Sequence, residues 1–360
     1  MSPTRIAVIG AGMIGRKNID VLLSGRPEYT LAAVADPSPA AIQEAARHGY
    51  ICHPTIAAML DDARPDGAII AVPNQMHVAA ALACIERGIA VLVEKPITDS
   101  VAEGLRLVEA AERVGVPALA GHHRRHNPIM CQAAEVVASG KLGRIVAVSS
   151  MWLSRKTEDY FDIAWRREAG GGPGLINAMH DIDCLRMLCG DSVSVRATTA
   201  NAARDFPVED TAAAVLTFAF GAIGTLLVSD RAAGPWSWEW GSRENAQRPF
   251  EPENCYIIAG TQGSLTVPSL QLRWYDAGRE SWGNPLTQQR LHVALKDAYH
   301  EQMRNFAAVI RGTEAPRISG RGGVETLATT LATTLATTLA ISEAARTDGT
   351  VLVADMLTAG

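Results

Sequence analysis

Apolar and polar positions in the first third of the chain fall into two alternating patterns. Short continuous apolar runs, "RIAVIG", "TLAAVAD", "GAIIAV" and "AVLVEK", are separated by stretches over 14–24, 39–48, 78–87 and 101–114 where apolar residues return every three or four positions. The runs have the length of strands and the stretches that of amphipathic helices. Strands without polar alternation are covered on both faces, so this order predicts a parallel sheet with crossover helices. "PALAG" supplies a last strand before "HHRRHNP". Beyond it, "GRIVAVSSMWLS", "DTAAAVLTFAFG", "AIGTLLVSD", "NCYIIAG" and "GSLTV" follow one another, with helical pattern only near 173–188 and 297–311. These runs predict an α+β region built on one broad, mostly antiparallel open sheet. The whole is an α/β protein with expected domains over 1–122 and 123–360, and a length of 360 residues favours two cores over one.

Two segments break the pattern. "GPWSWEWGSRENAQRPFEPEN", residues 234–254, has no period and reads as a long loop. "LATTLATTLATTLAIS" spaces Leu327, Leu331, Leu335 and Leu339 four apart. Each step of four overshoots a helical turn by ~40°, which predicts a long helix whose leucine stripe winds around it.

Composition narrows the partners. Lys+Arg 33 against Asp+Glu 38, a net charge of -5, leaves no basic footprint for nucleic acid and no polybasic arm for a membrane surface. The start "MSPTRIAVIG" lacks the layout of a secretory signal, and no apolar run reaches the roughly 18 residues of a spanning helix. The expected setting is the cytoplasm and the expected partner a small molecule. Cys52, Cys84, Cys131, Cys184, Cys189 and Cys255 are dispersed without a Cys-x-x-Cys pair, so reduced thiols are expected, with no disulfide and no metal site.

The chemistry begins at "RIAVIGAGMIG", where Gly10, Gly12 and Gly15 form G-x-G-x-x-G between a strand and a helix, with Met13 and Ile14 inside the motif. Gly10 suits a tight turn, Gly12 a close backbone approach to a pyrophosphate, and Gly15 close packing of the helix on its strand. The helix N-terminus receives the phosphates. Asp36 ends the second strand, 21 residues after Gly15. A carboxylate there accepts hydrogen bonds from an adenosine ribose and repels a 2′-phosphate, so NAD is expected ahead of NADP. Without a ligand the glycines would be an ordinary βα turn and Asp36 a helix cap; strand, glycines, helix and acid together favour the cofactor. Val72, Pro73, Asn74 and His77 close the fourth strand, at the edge where ligands bind in such sheets, although His77 also reads as a cap for the next helix. Glu94 and Lys95 end the fifth strand at the same edge and are expected at the cofactor as well.

Taken in order, G-x-G-x-x-G, "VPNQMH", "EKP", "GHHRRHNP" and "GGGPGLINAMHDID" resemble the glucose-fructose oxidoreductase, inositol dehydrogenase and MocA-like (Gfo/Idh/MocA) oxidoreductases. The resemblance implies a Rossmann domain joined to an α/β domain whose open sheet forms a dimer or tetramer interface. It also implies NAD(P)-dependent oxidation or reduction at a carbinol carbon of sugars, cyclic polyols or related molecules. In such proteins a lysine at the place of Lys95 touches substrate oxygen and nicotinamide, its bond to the following proline is often cis, and a histidine at the place of His180 accepts the proton. Many members carry Asp four residues before that histidine. Here the position is Ile176, with Asn177 beside it, and Asn cannot carry a proton.

The residues themselves supply the needed parts. Removing hydride from a secondary alcohol requires loss of the hydroxyl proton, hence a base and a cation. Asn177, His180 and Asp183 stand three apart on one helical face. With an ordinary pKa near ~6.5, His180 can take a proton while Asp183 holds its other ring nitrogen. The same spacing equally describes a helix histidine satisfied by Asp183. Lys95 supplies charge to a developing alkoxide. His122 or His123, Lys156, Tyr160, Asn177 and Asp183 are candidate substrate contacts. Arg124 is read as a pairing residue between the domains and, with Trp165 and Arg166, as a candidate cofactor contact, although an aromatic core anchor and a solvated Arg fit Trp165 and Arg166 equally. The histidines of "HHRRH" could hold a metal, but Asn127-Pro128 favours extended backbone and no acidic ligand is near, so none is expected.

The leading reading is an NAD-dependent dehydrogenase of a sugar, inositol or related hydroxylated molecule. The alternatives are an NAD-dependent glycosidase or eliminase with no net redox change, and a dinucleotide-sensing protein without chemistry, against which Lys95 and His180 both argue. A homodimer or homotetramer is expected, because the second sheet has too little helical pattern to cover both of its faces.

Overall fold

The computed structural model describes residues 2–168, 170–342 and 350–358, with the backbone alone over 334–342, so the side chains of Leu335 and Leu339 lie outside the described residues. Contacts divide the chain into two compact units: Met1–His126 with Lys296–Leu327, and Asn127–Leu295 with Ala328–Ala359.

The first unit runs β1 (Thr4–Ile9), α1 (Met13–Leu22), β2 (Tyr29–Ala35), α2 (Pro39–His48), β3 (Cys52–His53), α3 (Ile56–Ala63), β4 (Gly67–Ile70), α4 (His77–Ile85), β5 (Ala90–Glu94), α5 (Val101–Val114) and β6 (Ala118–Gly121). Its sheet has the order β3-β2-β1-β4-β5-β6, and every pair is parallel. Ile6 to Ile9, Ile69, Ile70 and Val91 to Val93 are fully buried, as the unbroken apolar runs predict. Helix signals hold locally: Ser38 caps α2 by accepting from the Ala41 N–H, Pro39 follows it, and Gly49 ends the helix in the left-handed region. The short β3 and α3 are absent from the pattern read above, since two residues of strand carry no period. The strand order reverses between β1 and β4, and ligands bind in such sheets beyond the carboxyl ends at that point.

The second unit contains α6 (Pro128–Ala138), β7 (Ile145–Leu153), α7 (Pro173–Ile176), α8 (Ala178–Cys189), β8 (Ser192–Ala200), β9 (Thr211–Phe218), β10 (Ile223–Ser229), α9 (Trp238–Gly241), β11 (Tyr256–Gly260), β12 (Gly263–Val267), β13 (Gln271–Trp274), β14 (Thr287–Arg290) and β15 (Thr350–Leu352). Its sheet is ordered β14-β13-β12-β11-β7-β10-β9-β8-β15 and is antiparallel except between β7 and β10. Alternation places Ala212, Ala214, Leu216, Leu226 and Val228 on the buried face, and α8 packs on β7. Val215, Ile223, Leu227 and Ile257 remain exposed. Two expectations need correction. The helix expected over 173–188 breaks at Asn177 into α7 and α8. The stretch 234–254 is not a free loop: it holds α9, and its tryptophans anchor it. Trp238 is buried and its indole N–H donates to Glu244 at 3.0 Å, Trp240 donates to the Ser154 hydroxyl at 3.0 Å, and Trp152 donates to Glu239 at 2.9 Å.

Chain order assigns 297–311 to the second domain, but α10 (Ala298–Ile310) packs in the first unit. Met303, Phe306 and Ala307 join Ile6, Val8, Ile69 and Leu92 in one core. Gly67 lies so close that a Cβ there would meet Ile310 Cδ1 at 2.5 Å. Asp297 caps α10 through the Tyr299 and His300 N–H groups and pairs with Lys17 of α1 at 3.0 Å. The leucine repeat does form a helix, α11 (Gly320–Ser342), in which Leu327 is buried and Leu331 half-buried. Thr329 and Thr333 are buried too, and the Thr333 hydroxyl donates back to the Thr329 carbonyl at 2.9 Å. No helix among the described residues is long and apolar enough to cross a membrane.

If α10 is core to the first unit, Phe306→Ala should cost about 3 to 5 kcal/mol in chemical denaturation, the usual range for a buried phenylalanine. A loss under about 1 kcal/mol would remove α10 from that core.

Candidate functional site

At the end of β1 the three glycines separate by physical role. Gly10 has φ +93°, donates its N–H to Ala35 O at 2.9 Å, and would place a Cβ 2.6 Å from Ala71 O. A Cβ on Gly15 would lie 1.9 Å from Gly10 O. The fold itself therefore requires both. Gly12 is different: it caps α1, and nothing lies within 4 Å of where its Cβ would be. No side chain caps α1, and Met13 at its start is 83% exposed. An open cradle over an uncapped helix start fits a pyrophosphate.

Asp36 follows β2 and leans over this turn. Its Oδ2 accepts the Ala11 N–H at 2.7 Å and its Oδ1 accepts the Ser38 N–H at 2.8 Å. Burial raises the carboxyl pKa, but hydrogen bonds from Ser38 and Ala11 outweigh it and hold the group below its ordinary range. The ionised oxygens keep lone pairs for ribose hydroxyls.

Two cofactor candidates at the ends of β4 and β5 point inward. His77 is 1% exposed; its Nε2 lies 2.9 Å from Val72 O, and its Nδ1 lies 3.0 Å from Pro96 O and 3.3 Å from Ile97 O. Burial pushes its pKa down against the pull of those carbonyls and of Glu94. Both ring nitrogens thus face main-chain carbonyls of the two loops, and the neutral ring donates its single N–H to one side. Glu94 is also buried, and Asn18 of α1 donates to its Oε1 at 3.0 Å. Lys95 is half-buried, and the Lys95–Pro96 bond is cis. Val72 is half-buried, and Pro73 and Asn74 are exposed beside it.

In "HHRRH", His123–His126 form a 3-10 turn, so the helical spacing that would pair two histidines is absent. His122 and Arg124 are buried, and His123 stacks on Tyr299 of α10 with ring centroids 4.6 Å apart. Burial, and then the charges of Arg317, His123, Arg125 and Arg304, push the His126 pKa down to about 3.

The second unit gathers its polar residues at one sheet edge. Because β7 and β10 run parallel, their ends leave the sheet together, and the Lys156 N–H reaches Asp230 O at 2.9 Å. Lys156 Nζ donates to Asn177 Oδ1 at 2.8 Å, pairs with Asp230 at 3.5 Å, and sits 4.4 Å from the Tyr160 ring centroid. Burial pushes the Lys156 pKa down, Asp230 pulls it back, and the outcome is about 8. Arg166 lies over the Tyr160 ring at 4.0 Å and donates to Tyr160 O at 2.8 Å, while Trp165 is half-exposed. His180 is half-buried in the first turn of α8, its N–H donated to Asn177 O at 3.1 Å. Asp183 is buried.

Three members of this cluster escape sequence reading. Arg204 pairs with Asp230, and Glu209 Oε1 accepts the Gly174 N–H at 3.1 Å. A Cβ on Gly172 would lie 2.1 Å from that Oε1, which accounts for glycine at that position in "GGGPG". Acids at strand ends, "VED" and "VSD", are the available signal. Only strand pairing brings them to Lys156.

Comparison with known proteins agrees with this architecture. Residues 4–122 match the family described as "Oxidoreductase family, NAD-binding Rossmann fold", and residues 130–266 match the GFO/IDH/MocA C-terminal domain. Inositol 2-dehydrogenase 2 of Saccharopolyspora erythraea is 32% identical over 198 residues, 52% of this chain and 54% of that one. The chain thus spans about half the length of such inositol dehydrogenase relatives. D-xylose 1-dehydrogenase (NADP(+)) 2 of Haloferax volcanii is 30% identical over 327 residues, 89% of this chain and 94% of that one. The WlbA dehydrogenase of Bordetella pertussis, solved with NADH and UDP-GlcNAcA, shares the fold at a TM-score of 0.72 and 24% identity, over 92% of this chain and 95% of that one.

The glycine contrast is testable. Gly12→Ala should fold and melt as the wild type does, yet weaken NADH binding about tenfold or more in fluorescence titration, a cost of ~1.4 kcal/mol. Gly15→Ala should fail to fold. Unchanged NADH affinity in Gly12→Ala would move the pyrophosphate elsewhere.

Proposed function

We propose, for a chain that belongs to the GFO/IDH/MocA oxidoreductase family, an NAD-dependent dehydrogenase acting on a carbinol carbon of a sugar, inositol or related hydroxylated molecule. The observation that carries this reading is the open cradle at Gly12 beside the ionised Asp36, at the point where the strand order reverses. The same carboxylate supports NAD over NADP, since it repels a 2′-phosphate. Arg16, the cation that bears on Asp36, is paired with Glu44 at 3.2 Å. The Haloferax relative is named for NADP(+), so the choice rests on Asp36 itself.

The bound nicotinamide supplies the hydride acceptor. The turn from Gly10 to Gly15 and the first N–H groups of α1 hold the pyrophosphate, and Asp36 accepts from the ribose. Lys95 puts positive charge on the substrate oxygen as it loses its proton, supported by the bracing of its strand end through Glu94 to Asn18 and through Pro96 to His77. His180 takes that proton. Lys156, Tyr160 and Asn177 hold substrate polar groups. The six cysteines, dispersed without a Cys-x-x-Cys pair, support a reducing setting such as the cytoplasm.

The second sheet also supports a homo-oligomer. Val215, Thr225, Ser149 and Ile257 line up across β9, β10, β7 and β11, and the exposed Val215 and Ile257, with Leu227 beside them, leave an apolar face.

A screen of sugars and inositols with both cofactors tests the function. NADH formation with a higher kcat/KM for NAD is expected. A preference for NADP removes the role given to Asp36, and substrate turnover without net NADH turns the reading to a glycosidase or eliminase. Lys95→Met should lose on the order of 100-fold or more in kcat while keeping its NAD dissociation constant. Turnover near wild type would remove Lys95 from the chemistry. Light scattering at micromolar concentration should report a dimer or tetramer, and Ile257→Glu should shift it toward monomer; a wild-type monomer contradicts the sheet interface.

A further inference from the structure

Two guanidinium groups converge on one carboxylate in the neighbourhood of Asp36. Arg16 of α1 reaches Glu44 of α2, its Nη2 lying 3.2 Å from Oε2, and Arg47 approaches the same oxygen at 4.0 Å. Neither arginine has another acid within ion-pair distance among the described residues. The Arg16 charge is also felt at Asp36: burial raises that carboxyl pKa, hydrogen bonds from Ser38 and Ala11 lower it, and Arg16 lowers it further. Yet the Asp36 oxygens receive the Ala11 and Ser38 N–H groups, while the Arg16 guanidinium goes to Glu44.

The place gives this pairing its meaning. Asp36 is the acid assigned to the adenosine ribose, and NADP differs from NAD by a 2′-phosphate on that ribose, carrying about −1.5 to −2 charges. Guanidinium groups are the side chains best matched to phosphate oxygens. The chain therefore carries, within reach of Asp36 by charge, the kind of cation that a 2′-phosphate requires. Glu44 takes up that cation first. The side chains of Arg16, Arg47 and Glu44 are 48%, 71% and 25% exposed, so this is an ion pair of the weak, solvent-screened kind that a stronger anion can open.

We infer that Glu44 is a specificity-determining residue for the cofactor: by holding Arg16, with Arg47 as the second cation, it keeps shut a latent site for a 2′-phosphate and shares with Asp36 the exclusion of NADP. The inference rests on the reading of an NAD-dependent enzyme and adds a second determinant to it. Removing the Asp36 charge alone then leaves the phosphate without a cation. Both acids have to go, and Arg16 has to stay.

The test measures the dissociation constants of NADH and NADPH by fluorescence titration of the full chain and reads the ratio of the NADPH constant to the NADH constant. Asp36→Asn, which keeps the shape of the side chain and removes its charge, provides the background; if it does not fold, Asp36→Ser replaces it. In that background Glu44→Gln should lower the ratio by about fivefold or more, equal to ~1 kcal/mol, and the fall should vanish once Arg16→Gln is added. Glu112→Gln on α5 removes the same charge from a pair with Arg321 at 3.0 Å and should leave the ratio where it was. A ratio that Glu44→Gln does not move, or moves no further than Glu112→Gln does, overturns the inference. So does a fall of equal size with Arg16 absent, since only the loss of a repelling charge would then remain. In each of these cases tight NADH binding leaves the NAD reading standing. A wild type that binds NADPH the more tightly, or neither dinucleotide, overturns both.

Discussion

The His77 imidazole joins the loop after β4 to the loop after β5, with Val72 O at 2.9 Å on one side and Pro96 O at 3.0 Å on the other. The first of those loops borders the crevice between β1 and β4, where the parallel sheet reverses its order. Each carbonyl is buried in part, and losing its partner costs about 1 to 3 kcal/mol where water cannot replace it. The neutral ring donates its one N–H to one of these carbonyls and packs against the other, so it sits wedged between the two loops beside Lys95's strand end. Asn18 adds a second brace by fixing Glu94 from α1. The charged pair of "VLVEKPIT" is thus divided: Glu94 turns inward to secure the strand, and Lys95 stands half-buried at its end. A cation useful to a reacting oxygen has to be held in place before the reaction, since the gain lies in not reorganising.

Much of the first unit was legible in the sequence because its signals are local. Unbroken apolar runs mark strands covered on both faces, and Gly10 and Gly15 mark contacts that no other residue allows. What failed was long-range. The pattern near 297–311 announces a helix, yet nothing within it says that Phe306 shares a core with Ile6 and Ile69, 300 and 237 residues earlier in the chain. His77 carries the right residue type at the right edge, and only the structure reveals that its ring faces two loops instead of the ligand. The stretch 234–254 shows the same limit from the other side: tryptophans in an aperiodic segment are anchors when each indole N–H finds an acceptor, as Trp238 and Trp240 do.

At the candidate substrate cluster, sequence supplied the residues of one segment and missed those of its neighbours. Lys156, Tyr160, Arg166 and Asn177 lie close together in the chain and close to the "GGGPG" turn. Arg204 and Glu209 precede β9 and Asp230 follows β10, and the register of those strands against β7 decides which side chains meet. The resulting charge balance is a property of the pairing, and it shapes the site more than any single residue does. Asn177 illustrates the consequence. Its side-chain oxygen is an amide that accepts from Lys156, and the acid that pairs with that lysine, Asp230, stands just past the end of β10.

The central claim is that hydride passes between a carbinol carbon and the nicotinamide. It is tested most directly by a single-turnover reaction with NAD and a hydroxylated substrate deuterated at its carbinol carbons, followed by mass spectrometry of the dinucleotide. Hydride transfer gives reduced dinucleotide carrying one deuterium. Reduced dinucleotide without deuterium, or converted substrate with no reduced dinucleotide at any time, would contradict it.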